Sequence, residues 1–498
     1  MKPASEHVII LGAGPAGLAT GHEITRHGGK VTVLERNNFI GGLCRTIESQ
    51  GYKFDLGGHR WFTKNEELNK WFRDLMGDEI VMVERTSRIF YSGKYFYYPI
   101  RFGDIFKKTG PFTIMHAGFA FFWAMLKQAI FKRPIVNMKQ AYTSQFGSKL
   151  YEMFFRQYTE KVWGLPCDKL SSDWVSQRSK GLSIWTVVRE ALMKKDKSQV
   201  ASLIDEFMYP RYGYVRVPER MAEDIVEKGN DVHLEATVTG VIMHDDNDYE
   251  VIYQKDGQEH SIRGTDVVST IPLGVLVKIL KPGCSDEIRK IASSLVFRDL
   301  ITVNVMIKKK QVSLDTWLYI QDSDILFGRM HEPKNWSKDM VPDDDHTSLV
   351  LECFCTFGDE IWKLTDDEIR ERCVSDLVNK LKFIDADEVE GASIIRTREA
   401  YPVYDMQYTK NTQALLNFLE SFSHLHISGR GGTFRYNNSD HSIEMGLLLG
   451  RKLLGYDIDH MTVNTESTYQ EIISVNEPER DSFSLEDKVD PKVESKSE

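Results

Sequence analysis

Three glycines near the start of the chain have the spacing that handles phosphate. In Gly12-x-Gly14-x-x-Gly17 the first glycine allows a tight turn, the second lets backbone approach a pyrophosphate, and the third lets helix and strand pack closely. The amides at the N-terminus of the following helix then face the anion. Pro15 suits the first turn of that helix, where its missing N–H is not needed. Ala16 lies between the glycines and belongs to the same cradle. Two apolar runs position it: Val8-Ile9-Ile10-Leu11 leads into the glycines, and Val31-Thr32-Val33-Leu34 ends on Glu35. An acid at that distance accepts from the ribose hydroxyls of an adenosine. Strand, loop, helix, strand and acid in this order predict a bound dinucleotide.

The residues that follow separate flavin from nicotinamide. Arg36 comes directly after the acid, then Gly41-Gly42-Leu43-Cys44-Arg45, then Gly57-Gly58-His59-Arg60. This layout resembles FAD proteins with the glutathione-reductase type of binding domain. FAD is therefore the expected cofactor, with Gly42, Leu43, Gly58 and His59 added to its candidate contacts. Each glycine pair alone could be an ordinary surface turn.

Further pieces of the domain come from distant segments. Alternating runs at 231–234, 238–241 and 249–253 and a buried run at 264–272 read as strands, and Val238 is a cofactor contact candidate. A last strand, 425–428, ends in Gly429-Arg430-Gly431-Gly432. Asn437-Asn438-Ser439-Asp440 then supplies capping residues for an apolar helix. The expected architecture is α/β: a Rossmann-like FAD domain assembled from 1–79, 223–289 and 401–465. A mainly helical substrate or cap domain occupies 80–222, a mixed-sheet substrate domain 290–400, and a disordered tail 476–498.

With 498 residues, more than one core is expected. A net charge of −10 argues against nucleic acid as a partner, since no excess of cations can displace phosphate counterions. Six scattered cysteines show no zinc spacing, so no metal is expected and reduced thiols in the cytoplasm are the simplest reading. The first strand follows about six polar residues, too few for a signal or transit peptide. Residues 112–126 are almost wholly apolar, with Lys107, Lys108, Lys127, Lys132 and Arg133 around them. Fifteen residues fall short of the roughly 20 that span a bilayer. A buried or groove-covering helix is the expectation, and peripheral contact with the inner face of a membrane is the alternative.

Two longer motifs carry a family resemblance. Tyr158-Thr159-Glu160-Lys161-Val162-Trp163-Gly164, and the stretch from Gly429 through Arg435-Tyr436-Asn437-Asn438-Ser439-Asp440-His441-Ser442, resemble the UDP-galactopyranose mutase family. That family is a branch of the flavin-containing amine oxidase and protoporphyrinogen oxidase group. The resemblance runs from about 5 to 460, and Gly57-Gly58-His59 and Tyr97-Tyr98-Pro99 are also in pattern.

It implies a reduced flavin whose N5 forms a covalent sugar adduct, so that a nucleotide sugar interconverts between pyranose and furanose. Such enzymes serve cell-surface polysaccharide biosynthesis and need an external reductant such as NAD(P)H. The cofactor then does the difficult chemistry, consistent with the absence of a Ser/His/Asp or paired-carboxylate motif.

The resemblance points to Arg178 and Arg329 as diphosphate grips, and to Tyr158, Tyr401 and Tyr436 as phosphate-binding hydroxyls. Trp163 would line the sugar pocket and His59 would lie beside the isoalloxazine. Arg430 would favour the reduced anion, and Asp440 and Ser442 would hold the cofactor at the helix start. Arg60-Trp61-Phe62 departs from the family's pattern, which leaves the sugar and nucleotide open, a lipid-linked sugar included. A FAD-dependent oxidoreductase of the amine oxidase or protoporphyrinogen oxidase type stays open as the alternative, to be separated by whether Arg178 and Arg329 converge near the flavin.

Overall fold

The computed structural model describes residues 6–98, 102–132, 134–178, 202–203, 206–245, 247–464 and 472–473. The tail at 476–498 lies outside the described residues.

The first sheet is parallel throughout, in the order Asp231–His233, Val31–Leu34, Val8–Leu11, Asp266–Ser269, Leu425–Ile427. Its central strand shows why an unbroken apolar run was needed. Val8 and Ile10 enter one core with Leu18 and Ile225, while Ile9 and Leu11 enter another with Tyr249 and Leu276. Alternate side chains leave opposite faces of a strand, and helices or a second sheet cover both faces here. Pro15 opens the helix Pro15–Arg26, and the helix Ser439–Leu453 packs directly on it. A Cβ built on Gly446 would lie 2.4 Å from the Ala16 carbonyl oxygen, so the two backbones touch.

The second large sheet has seven strands, in the order Val389–Pro402, Phe297–Ile307, Thr347–Cys355, Arg329–His331, Trp317–Ile320, Ser87–Tyr91, Lys94–Tyr97. All nine residues of Thr347–Cys355 are buried. Two features cut across the domain boundaries expected from sequence. The hairpin Ser87–Tyr97, assigned to the helical segment, joins this sheet through parallel pairing with Trp317–Ile320. The helix Arg216–Glu227, which straddles residue 222, packs on Pro15–Arg26, where Ile225 meets Gly21. In both cases an apolar face finds its partner in a segment remote along the chain.

The apolar stretch near 112–126 forms part of a longer helix, Pro111–Phe131, and the expectation of a buried or groove-covering element is overturned. Of its 21 residues only Ala117 is buried. Composition alone had suggested burial, because an apolar sequence does not reveal whether protein or something else covers it.

Candidate active site

The cradle is built from main chain. Gly12 has φ +102°, a conformation that disfavours any side chain, and its amide donates to the Leu34 carbonyl at 2.8 Å. A Cβ on Gly17 would lie 2.1 Å from the Gly12 carbonyl oxygen, whereas one on Gly14 would meet nothing within 4 Å. Gly14 thus faces open space at the start of the helix, as a pyrophosphate requires. Glu35 is buried: Oε2 accepts from the Ala13 amide at 2.9 Å, and Oε1 from the Asn37 amide at 2.9 Å. The Asn37 side-chain amide also donates to Oε1 at 2.6 Å, so Glu35 braces the glycine loop and keeps a lone pair on Oε2 for a ribose. Arg36 points outward, 3.9 Å from Glu399. Val238 is partly exposed near Glu35, whose carbonyl accepts from the Ala236 amide at 2.8 Å.

The second glycine pair folds back on the first. The Gly41 amide donates to the Ala13 carbonyl at 2.8 Å, which brings Gly42 against Gly14, and Leu43 packs toward Trp163 and Tyr436. Gly429 completes the cradle from the far end of the chain, where a Cβ would lie 2.8 Å from that of Ala16. Asn438 caps the helix Ser439–Leu453; Asp440 is buried in its first turn, and Ser442 Oγ donates to the Asn438 carbonyl at 3.0 Å.

Beside the cradle opens a cleft lined by the Gly57-Gly58-His59 loop, Arg329, Tyr401, Arg430, Tyr436 and Asp440. Arg329 is its centre. One guanidinium nitrogen lies 2.6 Å from Glu352 Oε2 and 2.7 Å from the Tyr401 hydroxyl. The rings of Trp317, Phe354 and Tyr401 surround the cation. Burial is the largest influence and works against its charge, but Glu352 together with Tyr401, Tyr158 and Tyr436 outweighs it and holds the guanidinium well above its ordinary pKa. Burial pushes the Glu352 carboxyl up, and Arg329 pulls it back.

Arg430 donates to the carbonyls of Asn437 and Ala400 at 2.8 and 3.0 Å and sits over the rings of Tyr401 and Tyr436. His59 is pushed down to about 3 by burial and by the charge of Arg430, so it is neutral at any physiological pH. Its Nδ1 is buried without a protein partner, as are Trp317 Nε1 and Arg329 Nε. Orphaned nitrogens at a glycine loop beside a phosphate cradle fit a flavin and its ligand in place of water.

Other expected residues lie behind this wall. Tyr158 meets Tyr319, a lining residue, edge-on at 5.6 Å. Trp163 is 3% exposed and packs against Tyr436 and Trp174, so it backs the cleft rather than lining it. Arg178 ends the helix Asp173–Arg178, and its side chain lies outside the described residues.

Sequence reasoning missed Glu352, Arg85 and Asp55. Glu352 had a signal: a lone carboxylate in an otherwise apolar strand is rarely buried without a partner. Asp55 accepts from the Tyr209 hydroxyl at 2.7 Å, the Thr46 hydroxyl at 2.6 Å and the Tyr214 amide at 3.1 Å. Tyr214 in turn packs on His59 and bonds Ser439 at 2.6 Å, which ties the His59 loop to the start of the last helix.

A model of the flavin containing amine oxidoreductase family matches residues 15–411. Among characterised proteins, phytoene desaturase of Phycomyces blakesleeanus is 54% identical over 52 residues, 10% of this chain and 9% of that protein. The 1-hydroxycarotenoid 3,4-desaturase of a Flavobacterium species is 36% identical over 81 residues, 16% of this chain and 17% of that one. The chain thus matches under a fifth of the length of either relative. Among solved structures, reduced UDP-galactopyranose mutase superposes with a TM-score of 0.78 over 93% of this chain and 98% of that chain, at 22% identity. A putative protoporphyrinogen oxidase from Exiguobacterium sp. 255-15 gives 0.67 over 91% and 100%, at 17% identity. At these identities the likeness is one of fold. The extended family match and the cradle that fits a dinucleotide lead to one conclusion: the chain is a FAD-dependent member of the flavin-containing amine oxidoreductase family.

Proposed function

We propose that this flavoprotein is a nucleotide-sugar mutase, an isomerase that interconverts the pyranose and furanose forms of a nucleotide-linked sugar in the cytoplasm. The observation that carries this reading is the charge of the cleft. Four arginines, Arg60, Arg85, Arg329 and Arg430, line it against two carboxylates, Glu352 and Asp440, in a protein of net charge −10. A positive cleft in an acidic protein selects an anion, and guanidinium forks suit a diphosphate. The same charges repel the ammonium form of an amine substrate.

Bound and reduced, FAD supplies the nucleophile for the anomeric carbon, and NAD(P)H is a suitable external reductant. The protein's own residues bind and orient. Glu352 and the Tyr401 hydroxyl fix Arg329 before substrate arrives, so little rotamer freedom is lost on binding. Tyr401 and Tyr436, stacked 5.7 Å apart, present their phenols to the same region. His59, kept neutral, would pack at the flavin without adding charge. Arg178, on the helix Asp173–Arg178, is assigned as the second diphosphate grip.

A FAD-dependent oxidoreductase is the second reading, favoured by the family's description and by the short matches to desaturases. Anaerobic reduction with dithionite, followed by a panel of UDP- and dTDP-sugars, separates the two. Isomerised sugar without net flavin oxidation supports the mutase. No turnover of any nucleotide sugar, with rapid oxygen consumption on amines, porphyrinogens or carotenoid precursors, overturns it.

A further inference from the structure

The helix Pro111–Phe131 is built the wrong way out for a protein surrounded only by water. Of the 22 exposed large hydrophobic side chains among the described residues, 12 fall between residues 106 and 136. Phe112, Met115, Phe119, Phe122, Trp123 and Ile130 all point outward, Phe112 at 82% exposure. A patch of this kind marks an interaction surface.

The opposite face of the helix is fixed. Ala117 is buried, and Ile114 and Phe121 pack into a cluster with Ile105, Leu150 and Phe154. A Cβ on Gly147 would lie 2.7 Å from the Phe121 amide nitrogen, so the helix Met138–Tyr151 presses directly against this one. With 21 residues the helix is long enough to cross a bilayer. A crossing helix would have to leave these contacts, whereas one lying flat keeps them and offers only its outer face.

Charge identifies what that face meets. Between Asp104 and Glu152 the chain has seven basic residues and no acidic one, in a protein of net charge −10. Lys107, Lys127 and Lys132 are exposed near the apolar face, and Lys127 lies 5.7 Å from the Trp123 ring. Aromatic and aliphatic side chains rimmed by lysines suit the boundary between acyl chains and anionic headgroups. A second copy of the chain suits it poorly, because a two-fold interface would set this cationic segment against itself.

We propose that Pro111–Phe131 is a monotopic membrane anchor, lying flat in the surface of a bilayer that contains anionic lipid. The cluster beneath it reaches the catalytic cleft through Tyr98 and Tyr319, whose rings are 5.3 Å apart and the second of which lines the cleft. Docking therefore brings the cleft to the membrane surface, whichever reaction it performs.

The test is co-sedimentation of the full-length flavoprotein with vesicles of phosphatidylcholine plus phosphatidylglycerol, and with phosphatidylcholine alone. Binding is expected to the mixed vesicles, weaker to the neutral ones, and to fall with added salt. The combined substitutions Phe119→Gln, Phe122→Gln and Ile130→Gln should lower it at least about tenfold while flavin absorbance is retained. Should that variant lose its flavin, Phe119→Gln alone, at a position 68% exposed, should still give a measurable loss. Wild-type protein that stays in the supernatant, or variants that bind like wild type, overturn the proposal. So does a dimer in sedimentation velocity that the same substitutions dissociate while vesicle binding is absent.

Discussion

The two sides of the cleft are made of different materials. On the cofactor side the working groups are main chain: Gly12, Gly14 and Gly42 bring backbone to the cradle, and Gly429 closes it from residues far along the chain. On the side facing the cradle they are side chains: Arg329, Glu352, Tyr401 and Trp317, each from a different strand of one sheet. A backbone site fails when any side chain is added. A side-chain site fails when one is removed, because its partner is left buried and unpaired.

That difference can be tested in graded steps. The largest effect belongs to Gly17→Val: the new side chain meets the Gly12 carbonyl, and the purified protein should be colourless. Retention of FAD would show that the cradle can yield, and the contrast would collapse. Next is Glu352→Ala, which strands the buried Arg329 guanidinium. Denaturant unfolding should register a loss of about 3–5 kcal/mol, with Glu352→Gln losing less.

On the mutase reading, Arg329→Ala should leave FAD bound and weaken nucleotide-sugar binding by roughly 1.5–3 kcal/mol, measured by titration calorimetry. If it loses FAD instead, Arg329 belongs to the cofactor side. At neutral pH the smallest effect is that of His59, whose contribution shows only as acid is added. The folded pKa of His59 lies below its ordinary 6.5, at about 3, so the unfolded chain takes up the proton first as pH falls. The stability from neutral His59 is therefore present above 6.5 and lost progressively down toward 3. His59→Asn should flatten the stability curve across that window by up to about 1.4 kcal/mol per pH unit.

The same contrast explains what could be read without coordinates. The first part of the cradle sits within one short stretch, Val8 to Glu35, where each glycine has a local reason to be there, and motif spacing was enough for it. The wall opposite is a matter of register: Arg329 and Glu352 are neighbours only because Arg329–His331 pairs antiparallel with Thr347–Cys355. Arg329 came to notice through family resemblance, while its counter-ion looked like the one charged residue in a largely apolar strand. Trp163 shows the limit of the resemblance, since an aromatic behind the wall and one lining it have the same letter in sequence. The parallel pairing of Ser87–Tyr91 with Trp317–Ile320 was not legible, because strand pairing over that distance leaves no local mark.

The closing of the cradle by Gly429 also sets a schedule for biosynthesis. The edge strand Leu425–Ile427, the glycine turn after it and the helix Ser439–Leu453 emerge from the ribosome only when most of the 498 residues have been made. The nascent chain can form its first strands and helix early, yet it has no complete seat for FAD until that helix has emerged. Complete flavin binding thus waits on the helix Ser439–Leu453, and yellow colour in a preparation certifies a chain synthesised through it.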